Sequence, residues 1–259
     1  MRRARALLLL GWALAVPASA ELLLDAESRV GDGVELRLRA TNDADTPVRD
    51  VGPEIVYRHR TVFADRVPVL DAHAAQEWRT SLEAPPGPGT FPVTIRVRYT
   101  DGRPGSAVLV HVLRTPGAPP AEVQVAVATA PVAHLGHADV TLVNAARAAV
   151  AGRLVVVLPP ELRTDPESRP AEIPAAGRAT LPVVVENVAA PPGSVRKMFA
   201  LFEYERDGVH HAVLGDATVS VVAPRADARP LVVGAGALLL ALATLAFAWR
   251  HARTRRLRA

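Results

Sequence analysis

Short segments in which apolar and charged residues alternate run through most of the chain. The segment VELRLRA at 34–40 has an apolar side chain at every second position, and TIRVRY at 94–99 repeats the pattern. Strict period two with charges between the apolar positions is typical of a half-buried antiparallel strand. Proline, glycine and Asp-Gly pairs interrupt these segments about every 8 to 15 residues. We therefore expect an all-β fold between residues 21 and 223.

The alternation predicts about seven strands in each half of this region. The predicted strands are 22–28, 34–41, 54–58, 61–67, 76–82, 91–99 and 106–113 in the first half, and 122–129, 138–144, 153–158, 171–174, 179–187, 197–205 and 210–221 in the second.

Seven short strands in about 100 residues are typical of an immunoglobulin-like (Ig-like) β-sandwich. Between the halves, RTPGAPPAE contains three prolines and one glycine, which is typical of a semi-rigid linker. The sequence thus predicts two tandem Ig-like β-sandwiches, at 21–114 and 122–223, joined by a Pro/Gly linker at 115–121.

The two halves also resemble each other. VELRLRATN ends at Asn42 and ADVTLVN ends at Asn144, while PPGPGTFPVTIRVRYTDG at 85–102 corresponds to PPGSVRKMFALFEYERDG at 191–208. A shared order of strand, Asn, Pro-Pro-Gly, tyrosine-containing strand and Asp-Gly turn indicates two copies of one domain. Chance similarity between β-rich sequences is the alternative.

The first 20 residues have the three parts of a secretory signal peptide. MRRARALLLLGWALAVPASA begins with three arginines, continues with an apolar stretch and ends in the small residues Ala18-Ser19-Ala20. A signal peptidase recognises such a site, so we expect cleavage after Ala20. An uncleaved anchor is the alternative, but the apolar stretch is short for a membrane span.

The other end predicts a membrane anchor. Residues 231–249 are 19 uncharged residues, which as a helix cover about 28 Å of the roughly 30 Å hydrocarbon core. A juxtamembrane linker at 224–230 precedes them, and a basic tail at 250–259 with five arginines follows. Positive residues beside a span stay in the cytoplasm, so we expect a single-pass anchor with a cytoplasmic C-terminus. A sortase-type sorting signal would need a motif that VVAPRADARP, before the apolar run, does not match.

Charge and cysteine content exclude several functions. The formal net charge is +4, but removing the eight arginines of the two ends leaves 22 basic against 26 acidic side chains, about −4. Basic and acidic residues alternate, without the basic stripe or aromatic platform that a nucleic acid needs. The chain has no cysteine, which removes disulfides, thiol catalysis and cysteine metal sites. We expect no nucleic acid, cofactor or metal.

Two groups of residues are candidates for chemistry. His134 and His137 flank a glycine that indicates a turn, and His210 and His211 follow an Asp-Gly pair, so their rings should lie on opposite faces of a strand. We interpret these histidines as surface residues, with metal binding as the alternative. The carboxylates at 203 and 205 share one strand face, where they could serve a glycosidase or form a solvated surface. The solvated surface is preferred, so no catalytic residue is assigned.

The aromatic residues and two loops complete the set of candidates. Trp78 is predicted to be a core or boundary residue, and Tyr99 and Tyr204, at matching places of the two copies, are predicted to pack inward. Ig-like domains commonly bind through loops, so the proline-rich turns at 85–92 and 190–193 are candidate contact surfaces.

The closing Asn, the Pro-x-Gly run and the strand IRVRYTDG at 95–102 resemble bacterial Ig-like modules of cell-surface and adhesion proteins. In layout the chain is similar to WxL-interacting surface proteins and other membrane-anchored tandem Ig-like proteins. This resemblance implies a binding or scaffolding role and supplies no site residues. We therefore expect a non-enzymatic protein of the bacterial cytoplasmic membrane, with its domains outside the cytoplasm and a protein partner in the envelope. A periplasmic chaperone for secreted subunits and a cell-wall or carbohydrate-binding module are the alternatives.

Overall fold

The computed structural model describes residues 22–224, and the all-β prediction is confirmed for them. They form sixteen strands: β1 (Leu22–Val30), β2 (Val34–Asn42), β3 (Val48–Tyr57), β4 (Arg60–Phe63), β5 (Val67–Leu70), β6 (Ala75–Leu82), β7 (Thr90–Thr100), β8 (Pro104–Arg114), β9 (Val123–Thr129), β10 (Leu135–Asn144), β11 (Val150–Val157), β12 (Leu162–Arg163), β13 (Ser168–Ile173), β14 (Arg178–Asn187), β15 (Val195–Arg206) and β16 (Val209–Ser220).

The predicted membrane anchor falls outside this part of the chain. Within 22–224 there is no helix, and hence none that could cross a bilayer. The predicted signal peptide at 1–20, the span at 231–249 and the tail at 250–259 lie outside the described residues, as does the linker at 224–230 after its first residue.

Each of the fourteen predicted strands overlaps an observed strand, with two notable differences. The segment predicted as one strand at 61–67 is two strands, β4 and β5, which both pair with β3. β5 pairs with residues 48–51 of β3 and β4 pairs with residues 54–57. The register of β3 to β7 shifts between Arg49 and Gly52, where Asp50 has a φ of 53°. A β-bulge of this kind bends the strand and divides its partners. The two-residue strand β12, too short to show alternation, was not predicted.

The first half of the fold (β1–β8) is a β-sandwich. Sheet 1 has the order β1-β2-β6, and sheet 2 has the order β4-β3-β7-β8 with β5 on β3. The inward side chains of both sheets form one buried cluster, and Leu36, Leu38, Ile55 and Ile95 are among its fully buried members. The side chains between them on β2 are exposed charges, so period two in the sequence becomes inside and outside in the structure.

The second half (β9–β16) repeats this arrangement. Sheet 3 has the order β13-β11-β15-β16, and sheet 4 has the order β12-β14-β10-β9. Their inward side chains form a second buried cluster, which includes Leu142, Leu154, Met198 and Phe202. The edge strand β13 carries a proline, and so does β14, which has only the two-residue β12 beyond it. A proline removes a backbone donor and hinders pairing with another chain.

One buried asparagine has the same role in each half. Asn42 and Asn144 end β2 and β10, and both are almost fully buried. Each side-chain amide donates to the carbonyl four residues later, at 2.8 Å, and to a carbonyl about 30 residues later. Each side-chain oxygen accepts from the backbone N–H two residues later. The asparagine thus provides partners for backbone groups of the turn after its strand and of a second loop about 30 residues away, and it joins the two.

The two halves pack against each other through the outer faces of sheets 2 and 3. Val108 and Val110 of β8 form a third buried cluster with Val157 of β11 and Phe199 of β15. All four side chains point away from the core of their own half, because their strand neighbours point into it. The layers therefore follow one another in the order sheet 1, sheet 2, sheet 3 and sheet 4, and both halves belong to one compact unit that ends at Val222.

Polar contacts close this interface at two places. The Thr90 hydroxyl accepts from the Ala212 N–H at 2.7 Å and donates to the Ala212 carbonyl at 3.2 Å, and both contacts are buried. At the other end of β8, the Ser106 hydroxyl donates to the Glu161 carboxylate at 3.1 Å and its N–H does so at 3.2 Å. These bonds join residues far apart in the chain and hold the two halves in one arrangement.

Candidate binding groove

A groove of about 720 Å³ opens beside this interface, where the outer faces of sheets 2 and 3 diverge. Its walls come from both halves: β3, β7 and the loop before β7 on one side, and β11, β15 and the start of β16 on the other. The volume lies in the range of small-ligand and peptide pockets. We refer to this depression and the residues that line it as the groove.

The floor of the groove is apolar. Val56 and Pro92 face it from sheet 2, and Val155, Val157 and Leu201 face it from sheet 3. Each is an outward residue of a strand whose alternate residues fill the core of its own half. Val157 and Leu201 are already buried where the halves meet, whereas Val56, Pro92 and Val155 are half-buried and present apolar surface to the groove. Outward faces of antiparallel sheets are normally polar, so this accessible apolar surface is suited to contact with another chain.

The rim of the groove carries a strained turn. Arg58 and His59 connect β3 to β4 as a two-residue hairpin loop and have φ angles of 47° and 65°. Such loops favour Asn-Gly or Asp-Gly, because glycine, asparagine and aspartate tolerate a positive φ better than other residues do. The Arg58 guanidinium lies 3.9 Å from the Glu83 carboxylate and donates to the Ala84 carbonyl at 3.4 Å.

The polar end of the groove is formed by two carboxylates and a histidine. Glu203 and Glu205 both line it, in accord with their predicted common face on β15. His210 Nε2 is 3.4 Å from Glu203 Oε1, and its ring stacks on Phe91 at 4.9 Å between centroids. A second depression of about 760 Å³ shares these three polar residues and continues over Gly152 and Arg153. The two depressions together form an elongated trench.

Backbone contacts lock this end of the groove. Gly89 forms a parallel bridge with His210, and the His210 N–H donates to the Pro88 carbonyl at 3.2 Å. Gly89 has a φ of 136°, and a Cβ there would overlap the His210 carbonyl oxygen and lie 2.8 Å from its carbon. Only glycine permits this approach, so the proline-rich loop and the first residues of β16 are held together.

The candidate histidines have different surroundings. His210 faces the groove, whereas His211 is buried on the opposite face and stacks on Tyr204 at 4.8 Å. Burial lowers the pKa of His211 below its ordinary value, and its Nδ1 is buried without a hydrogen-bond partner in the described structure. His134 and His137 are exposed at the start of β10. Residues 22–224 contain no group of three or more His, Asp or Glu side chains arranged to hold a metal.

The aromatic candidates pack inward. Trp78 is 7% exposed and donates from Nε1 to the Asp65 carbonyl at 2.8 Å, while Tyr99 and Tyr204 are 6% and 4% exposed. Of the two proline-rich turns, the one at 85–92 lines the groove. The turn at 190–193 precedes β15 and therefore lies at the opposite end of that strand, where the Gly193 N–H donates to the Val221 carbonyl. The structure does not bring the two turns together.

Sequence reasoning did not anticipate the packing of sheet 2 on sheet 3, although the signal was present. Residues 155–157 read VVV and residues 198–202 read MFALF, so apolar side chains occupy both faces of β11 and β15. A strand with two apolar faces is buried on both sides. Neither pattern identifies the surface that covers the second face.

Comparison with known proteins gives no family. No protein-family description and no curated protein matches the sequence. Among solved structures, red sea bream transglutaminase has a TM-score of 0.28 and 15% identity over 79% of this chain and 31% of that chain. Native Escherichia coli alpha-2-macroglobulin has a TM-score of 0.34 and 11% identity over 79% of this chain and 17% of that one. A Porphyromonas gingivalis protein of unknown function has a TM-score of 0.26 and 15% identity over 76% of this chain and 99% of its own.

These structural similarities are weak. The chain spans less than a third of the length of the transglutaminase and less than a fifth of that of the macroglobulin. All three TM-scores are below 0.5, so they carry no argument about this chain, whose sandwich architecture rests on its own sheets and cores.

Proposed function

We propose that this chain is a non-enzymatic interaction protein of the bacterial cell envelope, exported by residues 1–20 and anchored by residues 231–249. Residues 21–114 and 122–223 are its two Ig-like domains, joined by 115–121 and linked to the span by 224–230. The strand order of sheets 1 and 2 supports the Ig-like assignment. One sheet contains the first, second and sixth strands, and the other contains the third, seventh and eighth, with the short fourth and fifth strands beside the third. The domains lie outside the cytoplasm, and the tail at 250–259 lies inside.

The observation that supports binding is the groove built jointly by the two halves. Its apolar floor lies on a face that antiparallel sheets usually leave polar, and the groove lies beside the buried cluster that joins the two halves. A rigid, concave, partly apolar surface is suited to hold a segment of a partner protein with little ordering cost on the side of the receptor.

Photocrosslinking in native membranes tests this function. A photoreactive amino acid replaces Thr94, which lines the groove, in the full-length protein; the matched control replaces Asp139, an exposed residue of sheet 4. We expect one or two envelope proteins to be captured in stoichiometric amounts from position 94 only. Equal capture at both positions contradicts binding in the groove. Many unfolded exported proteins would instead favour a chaperone, and glycan fragments would favour a wall-binding module.

The absence of cysteine from the chain allows a clean test of topology. Asp139→Cys should react with a membrane-impermeant maleimide in intact spheroplasts, and Ala259→Cys should react only after lysis. Labelling of both positions, or of neither, before lysis would contradict the proposed anchor.

A further inference from the structure

We infer that the groove recognises an extended polypeptide segment in which one cationic side chain is flanked by apolar residues; this inference rests on the proposed function. The shape supports an extended ligand. Two depressions of about 720 and 760 Å³ meet at Glu203, Glu205 and His210, and together they follow the outer face of sheet 3. An elongated trench fits a strand-like segment better than a compact molecule.

The distribution of polar and apolar residues defines the register of that segment. The accessible part of the apolar floor lies on one side of the polar end, at Val56, Pro92 and Val155. A bound strand places alternate side chains on the same face, about 7 Å apart. Apolar side chains of the ligand therefore cover the floor, and a neighbouring side chain on the same face reaches the carboxylates.

The charges select a cation. The contacts of the two carboxylates among residues 22–224 include an approach of Glu203 to His210 at 3.4 Å, and no ion pair within 4.0 Å involves Glu205, which is exposed. The trench also holds three guanidinium groups. Arg58 lies 3.9 Å from Glu83, a carboxylate that is bonded more closely to Arg60, and the Arg169 guanidinium donates to the Pro182 carbonyl at 2.7 Å. Arg153 is the cross-strand neighbour of Glu203, so the selectivity for a cation rests on Glu205, the exposed carboxylate of the junction.

The site is also suited to hold a long side chain. The ring of His210 is fixed against Phe91 and by the backbone of residues 88 and 89, so the adjoining Glu203 faces a rigid wall. A lysine or arginine chain can lay its methylene groups along this wall and place its charge between the carboxylates. An acidic side chain at the same place would meet two like charges.

A peptide series measures this selectivity on the full-length protein in detergent micelles. The probes are fluorescein-labelled Gly-Val-Thr-Val-Thr-X-Thr-Val-Thr-Val-Gly peptides with X as Arg, Gln or Glu, in which X and the valines share one face of an extended chain, and the readout is fluorescence anisotropy. We expect the arginine peptide to bind about tenfold more tightly than the glutamine peptide, the size of a hydrogen bond to a charged group. The glutamate peptide should be weakest, and the preference should shrink as salt rises from about 50 to about 500 mM.

Three variants make the result specific. Glu205→Gln should remove most of the preference for arginine over glutamine, while the matched control Glu35→Gln, an exposed glutamate of sheet 1, should leave it unchanged. Thr94→Trp fills the groove and should abolish binding of all three peptides.

Equal affinities for the three peptides, or an arginine preference that survives Glu205→Gln, would overturn the inference, as would failure of every peptide to bind. If crosslinking from position 94 still captures a partner while the peptide series fails, the proposed function stands and only the ligand chemistry is wrong. If position 94 captures nothing, the function itself is contradicted.

Discussion

Replacing Gly89 by alanine should destabilise the whole two-half unit. The backbone φ of 136° disfavours any residue with a Cβ, at a cost of about 1–3 kcal/mol. The new Cβ would also overlap the His210 carbonyl oxygen and lie 2.9 Å from the His210 nitrogen, so the loop and β16 must separate. Overpacking of this kind costs about 1–3 kcal/mol.

The two terms together predict a loss of about 2–6 kcal/mol, a large share of the roughly 5–15 kcal/mol that keeps a typical protein folded. Gly102→Ala is the matched control, because Gly102 also has a positive φ, 62°, but no atom lies within 4 Å of the place that an added methyl group would occupy. This control should lose only about 1 kcal/mol.

Urea unfolding of residues 21–224, followed by tryptophan fluorescence, separates the two variants. With a slope near the upper end of the usual range of about 1–3 kcal/mol per molar urea, the Gly89→Ala midpoint should fall by about 1–2 M, and that of Gly102→Ala by less than about 0.5 M. Equal midpoints for the two variants would refute the reasoning, since the close approach to His210 would then contribute nothing to stability.

Three further changes test other parts of the structure by the same measurement. Asn144→Ala should cost about 2–4 kcal/mol, because it leaves buried backbone groups without partners; a loss under about 1 kcal/mol would contradict this role. The double change Arg58→Asn and His59→Gly should stabilise the protein by about 1–2 kcal/mol through relief of positive φ, and a loss of stability would show that their side chains make contacts worth more than the strain. Burial lowers the pKa of His111, so the unfolded chain takes up a proton there below its ordinary pKa of 6.5 while the folded chain resists it. The contribution of His111 to stability should be fully present above pH 6.5 and should be lost as the pH falls below that value toward its lowered folded-state pKa. His111→Gln should therefore reduce the slope of stability against pH in this range, leaving the part due to His211, whose pKa is also lowered; an unchanged slope would exclude a contribution from His111.

The sequence predicts the strands well because most of them have one solvent-exposed face and one buried face. In β2 the alternation of apolar and charged residues corresponds to alternation of buried and exposed side chains along almost the whole strand. The buried asparagines were also visible, as repeated strand ends at Asn42 and Asn144. Their hydrogen bonds were not, because the carbonyls about 30 residues further on are brought near only by the fold.

The groove could be predicted only in part. The common face of Glu203 and Glu205 follows from strand periodicity, and the loop at 85–92 was a candidate surface. The approach of His210 to Phe91 joins residues more than 100 positions apart, and the Ser106–Glu161 contact spans 55. The alternation of residues within a strand does not show which other sheet packs on it. The packing of the two halves against each other was therefore seen only in the structure.

The packing of sheet 2 on sheet 3 has a consequence for the symmetry of the groove. Strands β7 and β8 of the first half occupy the places of β15 and β16 in the second, and across the interface β7 contacts β16 while β8 contacts β15. Two identical domains related by a twofold axis would meet through such a surface. A true twofold axis would repeat any trench on both sides of the interface, whereas two halves of different sequence in one chain can form a trench that is asymmetric.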